Sequence, residues 1–499
     1  MSLKQLLTEF VEHDCLPDIP LTGLCLDSRK VEPGNVFVAM AGYRDHGLAF
    51  AELALKKGAV AILCDAEFDQ YCQQILSSLM TRSICVPVRK LSEKLGAIAS
   101  RFYGHPSADL FSVGVTGTDG KTSVSHFIAQ ALDGLDKPSA VIGTVGNGFI
   151  AQLQQASHTT PDVIQVHQLM AEYKQQGAAQ VVMEVSSHGL DQRRVDAVSF
   201  DVAVLTNLGR DHLDYHGDIE AYREAKRQLF FMPGLTAAVL NLDDGFGRQL
   251  ASELKGKLVT WGYSLSTQSN NLTDYQIHAQ DIKVHSHGLS MNLMTPMGEA
   301  ELNTSLLGEF NVSNLMAALA VLLIKQIPLS QAVVRLSELK TVAGRMESFS
   351  ENHEPLVVVD YAHTPQALEL VLRTLRHHAR AARLYCVFGC GGDRDPGKRP
   401  LMAAAAETYA DRVIVTDDNP RTEDAEQIIR DIEAGFKHPE KIEIIRDRKQ
   451  AIVHAIASAS EQDIVLIAGK GHEDYQIVGE IKYPFSDRGI VAEQLGQGS

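Results

Sequence analysis

Only one tryptophan and seven cysteines occur in 499 residues. The cysteines are scattered. Cys386 and Cys390 are the closest pair, and no second pair at zinc-ligand spacing accompanies them. That excludes a disulfide framework and a zinc ribbon, and predicts buried thiols in a reducing cytosol. Long apolar runs are missing too. No window of about 18 apolar residues exists, and the opening MSLKQLLTEFVEHDCLPDIP has charges throughout and no apolar signal core. Neither a membrane span nor a secretory signal is expected, and the location expected is cytoplasmic. Positive charge is scarce: 46 Lys and Arg stand against 62 Asp and Glu, a formal charge of −16. Such a balance argues against a general binder of nucleic acid or membrane surfaces, although local basic groups can still hold an anionic ligand. There is no internal repeat and no low-complexity tract; only the closing GQGS looks loose.

What is present is length and alternation. A chain of this size exceeds one core, and two to four domains are expected. Residues 1–90 alternate short apolar runs, at 36–40 and 59–63, with polar turns, which predicts a small α/β domain. A helical pattern, LSEKLGAIASRF, opens a second block spanning 91–340. Its strand-like runs VVMEV and VAVLTNL are each followed by helical stretches, the signature of a mostly parallel sheet. A third block, 341–499, repeats the alternation with LVVVDY, LYCVFGC, RVIVTDD and DIVLIAG. Those four strands end in polar tails, DYAHTP, GCGGDRD, DDNPRTE and GKGHEDY. Ligands of open α/β sheets bind outside the carboxyl ends of the strands, so the tails predict a charged site.

The richest stretch is residues 112–123, SVGVTGTDGKTS. An apolar strand runs into a Gly-rich turn, then Lys121, Thr122 and a helix. Backbone N–H groups of such a loop cradle phosphates, the lysine neutralises the outer ones, and the threonine hydroxyl ligates Mg2+. Val115 stands where the strict P-loop pattern wants its first glycine. A tight turn with a surface lysine is the plainer reading, but Gly117, Gly120, Lys121 and Thr122 in strand–helix context favour phosphate.

Further carboxylates and imidazoles follow strands. QVVMEVSSHGL ends a strand at Glu184, and VAVLTNLGRDHLDYHGD brings Asn207, Asp211, His212, Asp214 and His216. Glu184 and His212 are candidate Mg2+ ligands beside a nucleotide. The alternative is that they are hydrogen-bonded loop residues; a zinc hydrolase would need three clustered N/S ligands. Lys226 lies in the helical EAYREAKRQLFF with Tyr222 and Phe230 one turn either side. Periodicity alone favours a snorkelling lysine over a desolvated one of lowered pKa. A GTPase-like switch would share the phosphate loop, but TNLGRD lacks the lysine of a guanine-reading NKxD.

Taken in order, TGTDGKTS, EVSSHGL, TNLGRDHLDYHGD, GEFNVSN, GRME, VVDYAHTP, GCGGDRDPGKRP, DDNPR and GKGHEDYQ resemble the Mur ligases of peptidoglycan synthesis. The resemblance covers essentially the whole chain, and LDSRKVEPGNVFVAMAGYRDHG looks like that family's uridine-nucleotide domain. It implies an α/β protein of three domains: a small uridine-nucleotide domain over 1–90, a P-loop-type ATPase domain over 91–340 and a Rossmann-like, amino-acid-binding domain over 341–499. It also implies an ATP-dependent amide ligase working as a cytoplasmic monomer on small molecules. The branch matched best adds meso-diaminopimelate to the D-Glu side-chain carboxylate of UDP-MurNAc-L-Ala-D-Glu through an acyl phosphate.

Roles follow from the resemblance where the motifs match. Gly117, Thr118, Asp119, Gly120, Lys121, Thr122 and Ser123 would hold the ATP phosphates. Asn314, Arg345, Asp360 and His363 would complete the nucleotide site. Thr122, Glu184, His212 and Lys226 would serve Mg2+, with Lys226 carbamylated by CO2; that reverses the snorkelling preference. Leu26, Ser28, Thr159, Thr160, Ser186, Gln192 and Arg194 would bind the UDP-substrate. Arg394, Asp418, Asn419, Pro420, Arg421, Gly469 and Glu473 would surround the far end of diaminopimelate, an arginine fork taking its carboxylate and Glu473 its ammonium. Two departures stand out: Asp119 replaces the usual Asn of the loop, and His158 replaces a frequent Asn. Folylpolyglutamate synthase lacks a uridine domain, and a lysine-adding relative would lack the DNPR arginine.

Overall fold

The computed structural model describes the chain apart from residues 12–15, 42–45, 67–69, 82, 134, 136–137, 267–271, 351–353, 380–381 and 497–499. Part of GYRDHG and most of GQGS therefore lie outside the described residues. Contacts gather the chain into two units, one of Met1–Lys121, Leu132–Leu240 and Asp244–Thr260, the other of Thr122–Ala131, Asn241–Asp243 and Trp261–Ser499.

In the first unit, short apolar runs between turns become β1 (Gly23–Cys25), β2 (Asn35–Ala39), β3 (Ala61–Asp65) and β4 (Cys85–Val88). They pair in that order, all parallel. Alternate residues feed two cores: Val36, Val38 and Leu63 pack with the helix Leu91–Phe102, while Phe37 and Ile62 pack under Leu48 and Ala54. This is the burial on both faces that a parallel sheet requires.

The same unit carries β5 (Phe111–Thr116), β6 (Ser139–Ile142), β7 (Asn147–Phe149), β8 (Gln152–Gln154), β9 (Gln180–Glu184), β10 (Val202–Leu205) and β11 (Ala237–Asn241). Their order is β11-β10-β5-β9-β6-β7-β8, parallel from β11 to β6, with an antiparallel edge in β7 and β8. β5 lies between β9 and β10. The loops after these neighbours, which carry the phosphate turn, Glu184 and Asn207, therefore open at one sheet edge.

The second unit holds β12 (Val259–Ser264) from Trp261 onward, β13 (Tyr275–His285), β14 (Gly288–Thr295) and β15 (Gly298–Thr304). β13 to β15 form an antiparallel meander. Its other sheet contains β16 (Glu347–Phe349), β17 (Leu356–Asp360), β18 (Leu384–Phe388), β19 (Arg412–Val415), β20 (Glu443–Ile444) and β21 (Ile464–Ala468), in the order β16-β17-β21-β18-β19-β20. β17, β21, β18 and β19 are parallel. Val358, Cys386 and Leu466 face Leu368 and Leu372 of the helix Pro365–Ala379. Val357, Tyr385 and Val465 face Ile452 and Ala455 of the helix Arg448–Ser458. Helices cover both faces, so the polar tails at the strand ends are the part left for a ligand. A hairpin, β22 (Tyr475–Val478) and β23 (Ile481–Pro484), follows.

Candidate active site

The phosphate turn sits between β5 and the helix Lys121–Leu132. Gly117 adopts φ +151°, and a Cβ there would fall 1.8 Å from the Thr206 hydroxyl, so no larger residue fits. Asn207 braces the turn: its side-chain oxygen accepts the N–H groups of Thr118 at 3.1 Å and Asp119 at 2.9 Å. Thr206 donates to the Asp119 carbonyl at 2.6 Å. Asp119 itself is exposed, so its carboxylate faces water. Lys121 Nζ donates to the carbonyls of Gly117 at 3.0 Å and Thr118 at 2.8 Å. Burial pushes its pKa down, and Glu184, Asp119 and Asp211 push it back up.

Lys226 does not snorkel. The helix Ile219–Arg227 buries it to 1% exposure together with Tyr222. Its Nζ donates to the Gly117 carbonyl at 2.6 Å and lies 4.5 Å from the Tyr222 ring centre. Two lysines thus share one carbonyl. Burial first, then the Lys121 charge, lowers the Lys226 pKa to about 6. Tyr222 in turn exchanges a 3.0 Å hydrogen bond with Thr118.

Glu184 is fully buried at the end of β9. Thr144 clasps it, the N–H donating to Oε1 at 2.8 Å and the hydroxyl to Oε2 at 3.0 Å. A Cβ at Gly143 would come within 2.3 Å of that carboxylate, so the cradle is cut to its shape. His212 takes φ +52° ahead of a short helix, with Nε2 3.3 Å from the Asp211 carboxylate. Its ring lies 4.8 Å from that of His188.

A cavity of about 1300 Å³ opens beside these loops within the first unit. Leu26, Ser28, His158, Gln192 and Arg194 line it. Its volume exceeds the range usual for drug-sized ligands, roughly 300–1,000 Å³, and suits a larger substrate. Arg194 donates to the Thr160 carbonyl at 2.7 Å, and Gln192 accepts from Arg194 at 2.6 Å. Thr160 and Ser186 sit off the wall, at the end of β9, where the Thr160 hydroxyl donates to the Glu184 carbonyl at 2.9 Å and pairs with Ser186 at 3.0 Å. The Thr159 hydroxyl meets that of Thr144 at 3.0 Å.

In the second unit, Asn314 is buried on the helix Phe310–Ile324 and donates to Asn311 at 2.9 Å. Asp360 ends β17 and accepts the N–H groups of Met346 at 2.7 Å and Ala362 at 2.8 Å. Burial raises its pKa, against those bonds and the Arg345 charge. Arg345 lies 5.2 Å from the Tyr361 ring centre, and its buried Nε has no hydrogen-bond partner among the described residues. His363 packs on Tyr361 as well, their ring centres 4.6 Å apart.

A second group forms around Gly391. A Cβ there would meet Arg421 Nη1 at 2.8 Å, the Asn419 carbonyl at 3.8 Å and Arg394 Cγ at 3.9 Å. Arg421 holds φ +51°, and its Nη1 donates to the Gly392 carbonyl at 2.7 Å. Asp418 and Asn419 are buried ahead of Pro420, and Asn419 donates to Glu473 at 3.0 Å. Gly469 takes φ +120°, and a Cβ would lie 3.1 Å from the Asp418 carboxylate.

Family models match three stretches: "Mur ligase family, catalytic domain" at residues 20–103, "Mur ligase middle domain" at 115–322 and "Mur ligase, glutamate ligase domain" at 344–471. The UDP-N-acetylmuramoyl-L-alanyl-D-glutamate--2,6-diaminopimelate ligase of Pseudomonas aeruginosa is 50% identical over 98% of this chain and 96% of its own. The chain belongs to the Mur ligase family. The ligase of the same name from Coxiella burnetii is 46% identical over 94% of each chain. A solved structure bearing that name superposes with a TM-score of 0.75 at 38% identity, covering 100% of this chain and 99% of the other. The Thermotoga maritima MurF ligase, solved with ADP, has a TM-score of 0.60 at 20% identity over 97% and 99%, a likeness of fold.

In this Mur ligase the Thr122 hydroxyl and the cradled Glu184 carboxylate are hard oxygens of the kind Mg2+ prefers, and the His212 ring carries nitrogen atoms. Among the described residues no group of three or more His, Cys, Asp or Glu side chains is arranged to hold a metal ion. Sequence reasoning assigned no role to Asn207, Thr144, Tyr222 or Lys470. Asn207 and Lys470 stood inside quoted motifs, which was the available signal. Thr144 carried none.

Proposed function

We propose that this Mur ligase joins meso-diaminopimelate to the D-Glu side-chain carboxylate of UDP-MurNAc-L-Ala-D-Glu, driven by ATP, as a cytoplasmic step of peptidoglycan precursor synthesis. The observation that carries the reading is 50% identity across both full lengths to a ligase named for those substrates. The 1300 Å³ cavity takes the UDP-substrate along Leu26, Ser28, Gln192 and Arg194. The substrate carboxylate attacks the γ-phosphorus of ATP, ADP leaves, and an acyl phosphate forms. The amino group then attacks the acyl carbon and phosphate departs. Lys121 exchanges its loop carbonyls for phosphate oxygens and offsets charge on the transferring group. Asn207 keeps the loop in shape while it does so. Asn314, Arg345, Asp360 and His363 would contact the nucleotide.

Thr122, Glu184, His212 and Lys226 would hold Mg2+, which when bound supplies charge screening between the carboxylate and the triphosphate. Burial that lowers the Lys226 pKa to about 6 favours the neutral amine at pH 7. That amine can add to CO2 and lose a proton, which turns a cation into a carboxylate-like anion. For the amino acid, Arg421 and Arg394 pair with the distal carboxylate, and Glu473 takes the distal ammonium. One copy carries every group named, so a monomer suffices. The test is ADP release with UDP-MurNAc-L-Ala-D-Glu in three arms: diaminopimelate, L-lysine and no amino acid. Release with diaminopimelate alone is expected; equal release with lysine would overturn the choice of amino acid.

A further inference from the structure

Lys470 follows β21 inside the polar tail GKGHEDY, and none of it reaches solvent. An ammonium has three protons to donate. Lys470 directs them to Asp418 Oδ1 at 3.3 Å, Asn419 Oδ1 at 3.0 Å and Glu473 Oε2 at 3.2 Å. Asn419 Oδ1 also accepts the Ile477 N–H at 2.9 Å. Two donors on one side fix the amide, so its Nδ2 faces Glu473 Oε2, at 3.0 Å. Glu473 Oε2 is therefore taken twice, whereas Oε1 has no hydrogen-bond partner among the described residues.

The charges can be counted. Asp418 and Glu473 bring two negative charges and Lys470 one positive. Behind Gly469, Arg448 and Asp487 are both fully buried and bonded to each other at 2.8 and 2.7 Å, a pair neutral in sum. One net negative charge remains beside Arg421 of the DNPR turn and Arg394. A zwitterionic end, one carboxylate and one ammonium, matches that layout.

We propose that Lys470 is a positioning residue that sets amino-acid specificity, cancelling one carboxylate and aiming Glu473 so that the pocket offers a single negative charge to the distal ammonium. This rests on the reading that Asn419, Arg421 and Glu473 hold the far end of diaminopimelate, with Asp418 serving Lys470 as a counter-charge. Without Lys470 the pocket carries an uncompensated second negative charge. That excess repels the distal carboxylate and favours lysine, whose far end is cationic only.

The test uses the full chain with two variants, Lys470→Met and the double variant Lys470→Met/Asp418→Asn, which restores the charge count. KM and kcat are measured for diaminopimelate, L-lysine, ATP and the UDP-substrate, with a thermal melt of each protein. Lys470→Met is expected to raise the KM for diaminopimelate roughly tenfold or more and to narrow its advantage over lysine. The KM values for ATP and the UDP-substrate should stay within about twofold. The double variant should recover most of the preference. An unchanged KM and preference in Lys470→Met would overturn the proposal, as would a rise of all KM values together or a double variant no better than the single. If Lys470→Met fails to fold, the double variant decides. Folded with preference restored, it supports the role; unfolded, or folded without preference, it overturns it. A wild type inactive with diaminopimelate would remove the underlying reading as well, whereas an active wild type with an indifferent Lys470→Met would remove only the role of Lys470.

Discussion

Lys226 and Lys470 are both buried, at 1% and 0% exposure, yet they are held by opposite kinds of partner. Lys226 has a backbone carbonyl and an aromatic face; Lys470 has two carboxylates and an amide. A buried charge is expensive unless it is paired, and a carbonyl is only a dipole. Lys226 answers by giving up its proton readily, which leaves an amine available for chemistry. Lys470 has counter-charges supplied by the DNPR turn and its own loop, which leaves a fixed array. The first region offers its lysine a dipole and an aromatic ring, the second an array of counter-charges.

The strongest way to break that contrast is to remove the amine. Lys226→Ala should lose activity on the order of a thousandfold, since an electrostatic contact at the transferring group goes with it. Added short carboxylates should restore part of the loss by supplying an anion in the space vacated. A carbon-13 carbamate signal from wild type equilibrated with labelled CO2 checks the same point. A bare amine in active, Mg2+-loaded enzyme would refute the carbamate.

Next is the neighbour that shares the Gly117 carbonyl. Lys121→Ala should lower kcat for ADP release by about 2.7–4 kcal/mol of transition-state stabilisation, while the UDP-substrate still binds. Calorimetry of that binding, together with turnover, separates the two effects. Near wild-type turnover in the folded variant would sink the phosphate-loop assignment.

In the second region the corresponding cut is Arg421→Ala. Its guanidinium and Arg394 converge at Gly391, and a charged site lacking its partner rejects the wrong ligand by several kcal/mol. The variant should impair diaminopimelate use by roughly tenfold to a hundredfold, leave ATP binding intact and narrow the gap to lysine. Full retention of the preference would show that the DNPR arginine does not read the carboxylate.

The order of these regions along the chain was legible without coordinates, because period and punctuation carry it. Strand runs such as LVVVDY and DIVLIAG became β17 and β21, shortened where their polar tails begin. The Gly-rich turn announced itself by composition. What was illegible was which tips are covered. Periodicity placed Lys226 on an aromatic face but could not show that Gly117, 109 residues away, closes over it. The partners Asp418 and Asn419 reach Lys470 from a different strand tail, 52 and 51 residues earlier. Thr144 clasps Glu184 across 40 residues with no local pattern. Local sequence reports faces and turns; side-chain pairing between strand ends is a property of the sheet order.

The smallest effect sharpens the comparison through stability. Burial lowers the folded-state pKa of Lys226 to about 6 from an ordinary 10.5. Between those values the unfolded chain binds a proton that the folded chain does not. Stability must therefore rise with pH across that window and level off below about 6, where both states are protonated. The slope from this one group is at most about 1.4 kcal/mol per pH unit. Lys226→Met removes it, so the wild-type Tm should climb steadily relative to that of the variant as CO2-free buffer is taken from about pH 7 to 9. Parallel Tm curves for the two proteins would mean that Lys226 keeps its proton in the folded state, and its contrast with Lys470 would then be one of partners alone.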